Sequence, residues 1–101
     1  MSVVRVQMSS SDQRITRLAF LNRFTDDEAI QLDLASQGST VEAATIRRYL
    51  SKVNAATFID LGREDTVEAV TGLEAAGLLE PGRADVILGA DIQEIERYKG
   101  V

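Results

Sequence analysis

One segment of the chain alternates hydrophobic and polar residues, whereas most others repeat hydrophobic residues at helical spacing. The alternating segment lies at the N-terminus, where Val4, Val6 and Met8 are separated by single polar residues. A period of two is typical of a strand. Three explanations stay open for it: a disordered tail, a strand added to an edge of the protein's own fold, and an arm that pairs with another chain. Residues 1–12 are therefore predicted to form an N-terminal arm.

The first two helices are indicated by their apolar faces and by a cap. Between residue 12 or 13 and about residue 24, apolar residues cover more than one helical face, which predicts a helix that is largely buried or lies between partners. Thr25-Asp26-Asp27-Glu28 has the capping-box pattern, so a second helix starts inside it. Residues 30–34 also alternate like a strand, but the cap, together with Gly38 as a C-terminal stop, favours a helix to about Ser36.

The clearest helical stripe follows a second capping box, Ser39-Thr40-Val41-Glu42. Its apolar residues recur at positions i, i+3, i+4 and i+7 and are Ile46, Tyr49, Leu50 and Val53. The basic residues beside it lie away from this stripe, which favours a solvated face over a docking patch for an acidic surface; they are Arg47, Arg48 and Lys52. Residues 57–61 are β-branched and aromatic, so they form either an extended link or the end of the same helix.

Two shorter helices follow as a predicted antiparallel pair. Asp65-Thr66-Val67-Glu68 repeats the N-terminal signature of a helix, and that helix stops at Gly77. Glu80-Pro81-Gly82 then starts a short helix that ends at Gly89.

The last segment has the weakest pattern. Ile92, Ile95 and Tyr98 are spaced three apart, as in a weak last helix or an extended tail anchored by three apolar contacts. Together the segments predict a mainly α fold: one compact domain of four to six short helices, with a short N-terminal strand as one of the alternatives for the arm. The predicted divisions are the arm at 1–12, a helical domain at 13–89 and a C-terminal tail or short helix at 90–101.

Composition narrows the class of protein. The chain has 101 residues, of which 45% are hydrophobic and 27% charged, and this suits one independently folding domain. It contains neither cysteine nor histidine, which excludes disulfides, thiol chemistry, cysteine- or histidine-ligated zinc, a serine–histidine triad and imidazole catalysis. No stretch approaches the ~18 apolar residues of a membrane-spanning helix, and the start lacks the pattern of a secretory signal. We therefore expect a cytoplasmic protein with no membrane partner.

The charge is acidic and unevenly distributed. With 11 basic and 16 acidic residues the formal net charge is -5, which disfavours nucleic acid as a partner. Residues 60–101 carry four basic and ten acidic side chains, hence a net of -6. Carboxylates are grouped at residues 26–28, 60–65 and 91–96. Those of the first group lie in the opening turn of a helix and point apart, and residues 60–68 lack the spacing of a calcium loop. The glycines form no phosphate-binding motif. We expect no metal, no cofactor and no enzymatic activity.

Several strings in the chain carry a family likeness. They are Phe20 to Asp26, Arg47-Arg48-Tyr49-Leu50, Asn54 to Leu61, Arg63-Glu64-Asp65-Thr66, Leu73 to Leu79, Gly82-Arg83-Ala84 and Ile87-Leu88. Over about residues 15–88 the chain resembles a family of small proteins of tailed bacteriophages and integrated prophages, commonly encoded beside tail and virion genes. The shared positions are mostly apolar residues, caps and turn glycines. The resemblance therefore implies a context, phage assembly or virion structure, and assigns no residue a role.

The resemblance and the composition lead to one functional hypothesis and one alternative. The hypothesis is a bacteriophage tail- or virion-associated structural or assembly protein that acts by protein–protein binding, located in the virion or in the host cytoplasm during assembly. Its expected partners are other phage structural proteins and further copies of itself, with no small-molecule substrate. The candidate partner-binding residues are the apolar ones of the two terminal segments, Val4, Val6, Met8, Ile92, Ile95 and Tyr98.

The alternative is an acidic phage-encoded inhibitor or regulator of a host protein, of the anti-defence type. The net charge of -6 on residues 60–101 would complement a basic groove on such a target.

Overall fold

Five helices and a two-stranded sheet make up residues 13–100, the part of the chain that the computed structural model describes. The prediction of a mainly α domain with four to six short helices is confirmed. Residues 4–8, where the sequence predicts a strand, lie outside the described residues, as does the rest of the predicted arm. In chain order the elements are β1 (Arg14–Ile15), α1 (Arg17–Asn22), α2 (Asp26–Ala35), α3 (Val41–Ala55), β2 (Ile59–Asp60), α4 (Glu64–Ala75), α5 (Arg83–Gly89) and a 3₁₀ turn at Glu94–Glu96.

The sheet is built around β1, which has partners on both sides. In an antiparallel pair with β2, Arg14 lies opposite Asp60 and Ile15 lies opposite Ile59. On the other side of β1, Ile15 forms an antiparallel bridge with Arg97 of the C-terminal segment. Side chains alternate between the faces of a strand, so Ile15 and Ile59 enter the core while Arg14 lies on the outward face.

The first helix begins later than the sequence predicts. α1 starts at Arg17 because the Thr16 hydroxyl caps it by accepting from the Ala19 N–H at 3.0 Å, and residues 14–15 pair in the sheet instead. The predicted burial of this helix is only partly correct, since Phe20 is buried whereas Leu18 is 67% exposed.

Threonine caps begin the next two helices. The Thr25 hydroxyl accepts from the Glu28 N–H at 3.1 Å and the Glu28 carboxylate accepts from the Thr25 N–H at 2.8 Å, so the capping box predicted for α2 is confirmed. In α3 the N-cap is Thr40, whose hydroxyl accepts from the Ala43 N–H at 3.1 Å. The box predicted to begin at Ser39 is wrong by one residue.

The turn after α4 depends on Gly77, which adopts a positive φ of 83°. The Gly77 N–H donates to the Glu74 carbonyl and the Leu78 N–H donates to the Leu73 carbonyl, each at 3.0 Å. These two bonds form a Schellman motif, in which glycine is preferred because a side chain strains this conformation. The predicted stop at Gly77 is confirmed, although α4 begins at Glu64, ahead of the predicted signature.

The short helix α5 is capped by a side chain of α4. Its own N-cap residue, Gly82, offers no side-chain acceptor. Instead, the Glu74 carboxylate accepts from the Ala84 N–H at 2.8 Å. This bond satisfies one of the N–H groups that every helix start leaves without an intrahelical partner, and it fixes α5 against α4.

The main core lies between β1, β2, α1, α4 and α5, and α2 lies outside it. Leu32 of α2 is buried, as are Ala43 and Ile46 in the first half of α3; none of the three belongs to the main cluster, and the two helices contact each other. α2 is thus packed at the N-terminal end of α3, which leaves the C-terminal half of α3 for other contacts. The buried residues of the main core are Ile15, Phe20, Ile59, Leu61, Val70, Leu79, Ala84 and Ile87.

Candidate functional site

An open apolar groove lies between the C-terminal half of α3, strand β2 and the first half of α4; we call it the α3–α4 groove. It has a volume of about 410 Å³, and its walls include Tyr49, Val53 and Ala56 on one side and Ala69 on the other. Ile59 of the core contributes to its lining. The alanine side chains end at a single methyl group, so the two helices leave a space between them that is wide enough for side chains of a partner.

Charged side chains of both signs border this groove. Lys52 lies on the α3 side, and Asp60, Arg63 and Asp65 lie on the β2 and α4 side. The Arg63 Nε is 2.9 Å from an Asp65 oxygen, and an Asp60 oxygen accepts from the Gly62 N–H at 2.9 Å. Both carboxylates are bound to neighbouring groups, so they are not a pair of carboxyl groups that share a proton for catalysis. The charged side chains at the border can instead contact charges of a binding partner.

The outward face of the sheet carries two aromatic rings beneath an arginine. The Phe58 and Tyr98 ring centroids are 4.9 Å apart. The Arg14 guanidinium carbon is 5.4 Å from the Phe58 centroid and 6.0 Å from that of Tyr98, which is the distance range of cation–π contacts. Phe58 also lines the α3–α4 groove, so the aromatic cluster extends the apolar surface of the groove onto the sheet.

The structure places the three C-terminal candidates in different surroundings. Ile92 packs against the main core, Tyr98 belongs to the aromatic cluster, and Ile95 is 89% exposed at the 3₁₀ turn. Among the described candidates, Ile95 is therefore the one that presents an unshielded aliphatic side chain. The three N-terminal candidates lie outside the described residues: Val4, Val6 and Met8.

A second, polar cavity of about 550 Å³ surrounds the ion pair of Glu28 and Arg83. The Arg83 Nε and Nη2 donate to the two Glu28 oxygens at 2.6 and 2.8 Å. These hydrogen bonds lower the pKa of the Glu28 carboxyl, since they stabilise its charged form. The same carboxylate accepts from the Thr25 N–H. Its lone pairs are used to hold α2 to α5, and it stays ionised at neutral pH.

In the fold, the acidic residues within the three clusters identified in the sequence do not converge on one point. Glu28 and Glu96 each form an ion pair with an arginine from a distant segment. Asp65 pairs with Arg63 two residues away, and Glu94 pairs with Lys99. Across residues 13–100, no group of three or more acidic side chains converges as metal binding requires.

α2 presents an aliphatic face whose residues are not among the predicted partner-binding residues. Ile30 and Leu34 are 55% and 57% exposed, while Leu32 between them is buried. These three residues alternate in the sequence, and on a helix that turns by about 100° per residue such residues fall on opposite sides. The strand-like alternation of residues 30–34 within a predicted helix was thus the signal that one side would face solvent.

Comparison with known proteins leaves the function to be inferred from these surfaces. No family model, no curated protein and no solved structure matches the chain. In the described part of the chain, the helices are too short or too polar to cross a membrane.

Proposed function

We propose that this protein is a structural or assembly protein associated with the tail or virion of a bacteriophage, and that it acts by binding other proteins. The resemblance of residues 15–88 to small phage proteins encoded near tail and virion genes supplies the biological context. Its partners are other structural proteins of the particle and further copies of this chain. It acts in the host cytoplasm during assembly and in the virion.

The observation that carries the proposal is the pairing of an apolar groove with an exposed aliphatic helix face on one small domain. The α3–α4 groove is open and bordered by charge, and α2 exposes Ile30 and Leu34 one helical turn apart. Apolar surface that stays in contact with water costs free energy, and contiguous exposed apolar surface is typical of protein-binding sites.

The ionised groups support a binding role rather than a catalytic one. The pKa of Glu28 is lowered by hydrogen bonds from Arg83, that of Glu96 by hydrogen bonds from Arg23, and that of Glu94 by Lys99. A general acid at neutral pH needs a raised carboxyl pKa, so these shifts run in the wrong direction for that role.

The test is quantitative mass spectrometry of purified particles of the phage that encodes this chain. A particle component is expected to be present in several copies per particle and to remain after density-gradient purification. Its presence in the infected-cell lysate together with its absence from both finished particles and isolated assembly intermediates would overturn the proposal.

One observation favours the alternative, an acidic inhibitor or regulator of a host protein. Glu64 and Glu68 are exposed one turn apart on α4, so part of the acidic charge of residues 60–101 faces solvent. An affinity-tagged chain recovered from infected cells with a host protein, and with no structural protein of the phage, would establish this role in place of the first.

A further inference from the structure

The outward face of α2 combines aliphatic and acidic side chains. We define the α2 face as Asp26, Asp27, Ile30, Asp33 and Leu34, all of which are exposed. On a helix with 3.6 residues per turn, the three aspartates lie within about a third of a turn of the Ile30–Leu34 stripe. The α2 face is thus an apolar ridge flanked by three carboxylates.

The charge of the α2 face decides what kind of surface covers it. If two α2 faces met around a twofold axis, the three aspartates of one copy would oppose the same three of the other. Like charges brought together at an interface cost several kcal/mol. The complement of this face therefore has to be an apolar surface with basic side chains beside it.

The α3–α4 groove is an apolar surface with basic side chains along its α3 side. Lys52 borders the groove, and Arg48 lies one helical turn before it on α3; both side chains are exposed. On the opposite border, Arg63 and Asp65 pair with each other and the Asp60 carboxylate accepts from a backbone N–H. The basic side of the groove is therefore the side on which additional carboxylates find partners.

We propose that the α2 face of one copy docks in the α3–α4 groove of a second copy of this chain. Ile30 and Leu34 cover the apolar walls of the groove, and the aspartates of the α2 face lie beside Arg48 and Lys52. This is the helix-in-groove mode of recognition, in which aliphatic side chains one turn apart act as anchors. The inference rests on the proposed function, because it names the partner of that binding surface.

The contact is necessarily made between two copies and is head-to-tail. α2 is held at the N-terminal end of α3 by its contacts with that helix and by the Arg47 side chain, which donates to the Ser36 carbonyl at 2.6 Å. The Glu28–Arg83 ion pair also fixes α2 to α5. The groove lies at the other end of α3, so α2 does not reach the groove of its own chain. A contact between two different surfaces builds either a closed ring or an open array, and an open array leaves one surface of each kind unused at its ends.

The first experiment measures self-association of the full chain by sedimentation velocity over a concentration series. We expect association that weakens as salt is added, because the charges at the groove border are screened. Leu34→Glu is expected to weaken association at least tenfold, and so is the double variant Arg48→Glu/Lys52→Glu, about 1.4 kcal/mol or more. Leu18→Glu, which makes the same change at another exposed leucine, is the matched control and is expected to associate like the unmodified chain.

The second experiment mixes the two defective variants. Leu34→Glu keeps a complete groove and Arg48→Glu/Lys52→Glu keeps a complete α2 face, so each alone is expected to be monomeric and an equimolar mixture is expected to form a one-to-one dimer. A dimer made of two α2 faces predicts no recovery on mixing. Circular dichroism verifies the fold of each variant, and Ile30→Glu replaces Leu34→Glu if that variant does not fold.

The proposal is overturned if the unmodified chain stays monomeric throughout the concentration series, if neither variant weakens association, or if mixing does not restore it. These outcomes are separate from those of the particle analysis. A chain found in particles but monomeric alone retains the proposed function without the head-to-tail contact. A chain that self-associates but is absent from particles and intermediates retains the contact without the virion role.

Discussion

Arg23 and Glu96 lie 73 positions apart in the sequence and are joined at two points, Nε to Oε2 at 3.0 Å and Nη2 to Oε1 at 2.9 Å. The third guanidinium nitrogen, Nη1, donates to the Ile87 carbonyl at 2.8 Å. The side chains are only 7% and 17% exposed. One ion pair thus fastens the C-terminal segment to the end of α1 and to α5.

Removing the charge of Glu96 is expected to destabilise the fold. In Glu96→Gln the Arg23 guanidinium keeps its shielded position but loses its anionic partner, and we expect the free energy of unfolding to fall by about 2–3 kcal/mol. Urea denaturation followed by circular dichroism measures this loss. Glu94→Gln is the matched control on the same turn, since Glu94 is exposed and its ion pair with Lys99 lies in solvent. Equal effects of the two substitutions would contradict the role assigned to the pair.

The two arginine-bound glutamates also predict how stability depends on pH. Hydrogen bonds from Arg83 and Arg23 hold the pKa values of Glu28 and Glu96 below the ordinary value of 4.5. A carboxyl group whose pKa is lower in the folded state contributes stability that is fully present above the unfolded pKa and is lost as the pH falls through the folded pKa. We therefore expect this contribution to be constant from pH 7 to about 5 and to decline below about 4.5.

Comparing the pH dependence of a double variant with that of the unmodified chain separates the contribution of Glu28 and Glu96 from that of the other carboxylates. The double variant Glu28→Gln/Glu96→Gln is less stable at pH 7, and its unfolding free energy is expected to decline less between pH 5 and 3. Thermal or urea unfolding across this range gives both curves. Parallel curves for the variant and the unmodified chain would show that the two carboxyl pKa values are not lowered by folding.

Two glycines of α4 and its C-terminal turn are expected to respond to alanine with opposite signs. Gly77→Ala forces a side chain into a positive φ and should cost about 1 kcal/mol. Gly72 lies inside α4, and a Cβ added there meets no atom within 4 Å. Gly72→Ala should therefore stabilise the helix by up to about 1 kcal/mol. Chemical denaturation of the two variants gives the comparison, and a stabilising Gly77→Ala would contradict the Schellman turn.

The cap that α4 supplies to α5 can be tested with a pair of glutamates on α4. Glu74→Ala removes the acceptor of the Ala84 N–H and is expected to cost about 1 kcal/mol, as the loss of an ordinary N-cap does. Glu68→Ala makes the same change of helix propensity at an exposed position and is expected to have a smaller effect. Hydrogen exchange of the Ala84 amide gives a local measure, with faster exchange expected only in Glu74→Ala.

Local signals in the sequence predicted the features of this fold that depend on neighbouring residues. The capping box at Thr25 and the stop at Gly77 are contained within a few residues, so their patterns were sufficient. Residues 14–15 were predicted as helix because their apolar neighbours have helical spacing. They form a strand because their partners, Asp60 and Arg97 among them, come from distant parts of the chain.

The candidate site could not be predicted from the sequence, because it too is formed by residues from distant parts of the chain. The α3–α4 groove exists because Ala56, at the end of α3, and Ala69 of α4 line the same space, and nothing in either segment alone indicates that they come together. The choice of Glu96 as the partner of Arg23 likewise depends on tertiary packing. By contrast, the alternation around Leu32 was visible in the sequence, and its consequence for the α2 face follows once that segment is known to be a helix.

The pairing of β1 with two distant segments affects the order in which parts of the fold form during synthesis. α2 and α3 contain their own hydrogen bonds and can form while the ribosome is still adding residues. The Thr16 N–H and the Arg14 carbonyl, in contrast, form their hydrogen bonds with Glu96 and Tyr98, which are synthesised long after β1. Closing so long a loop costs more entropy than closing a short one and slows folding. The pairing of β1 with the segment around residue 97 is therefore a late step of folding, and a ribosome stalled before residue 96 holds a chain whose β1 lacks one of its two neighbours.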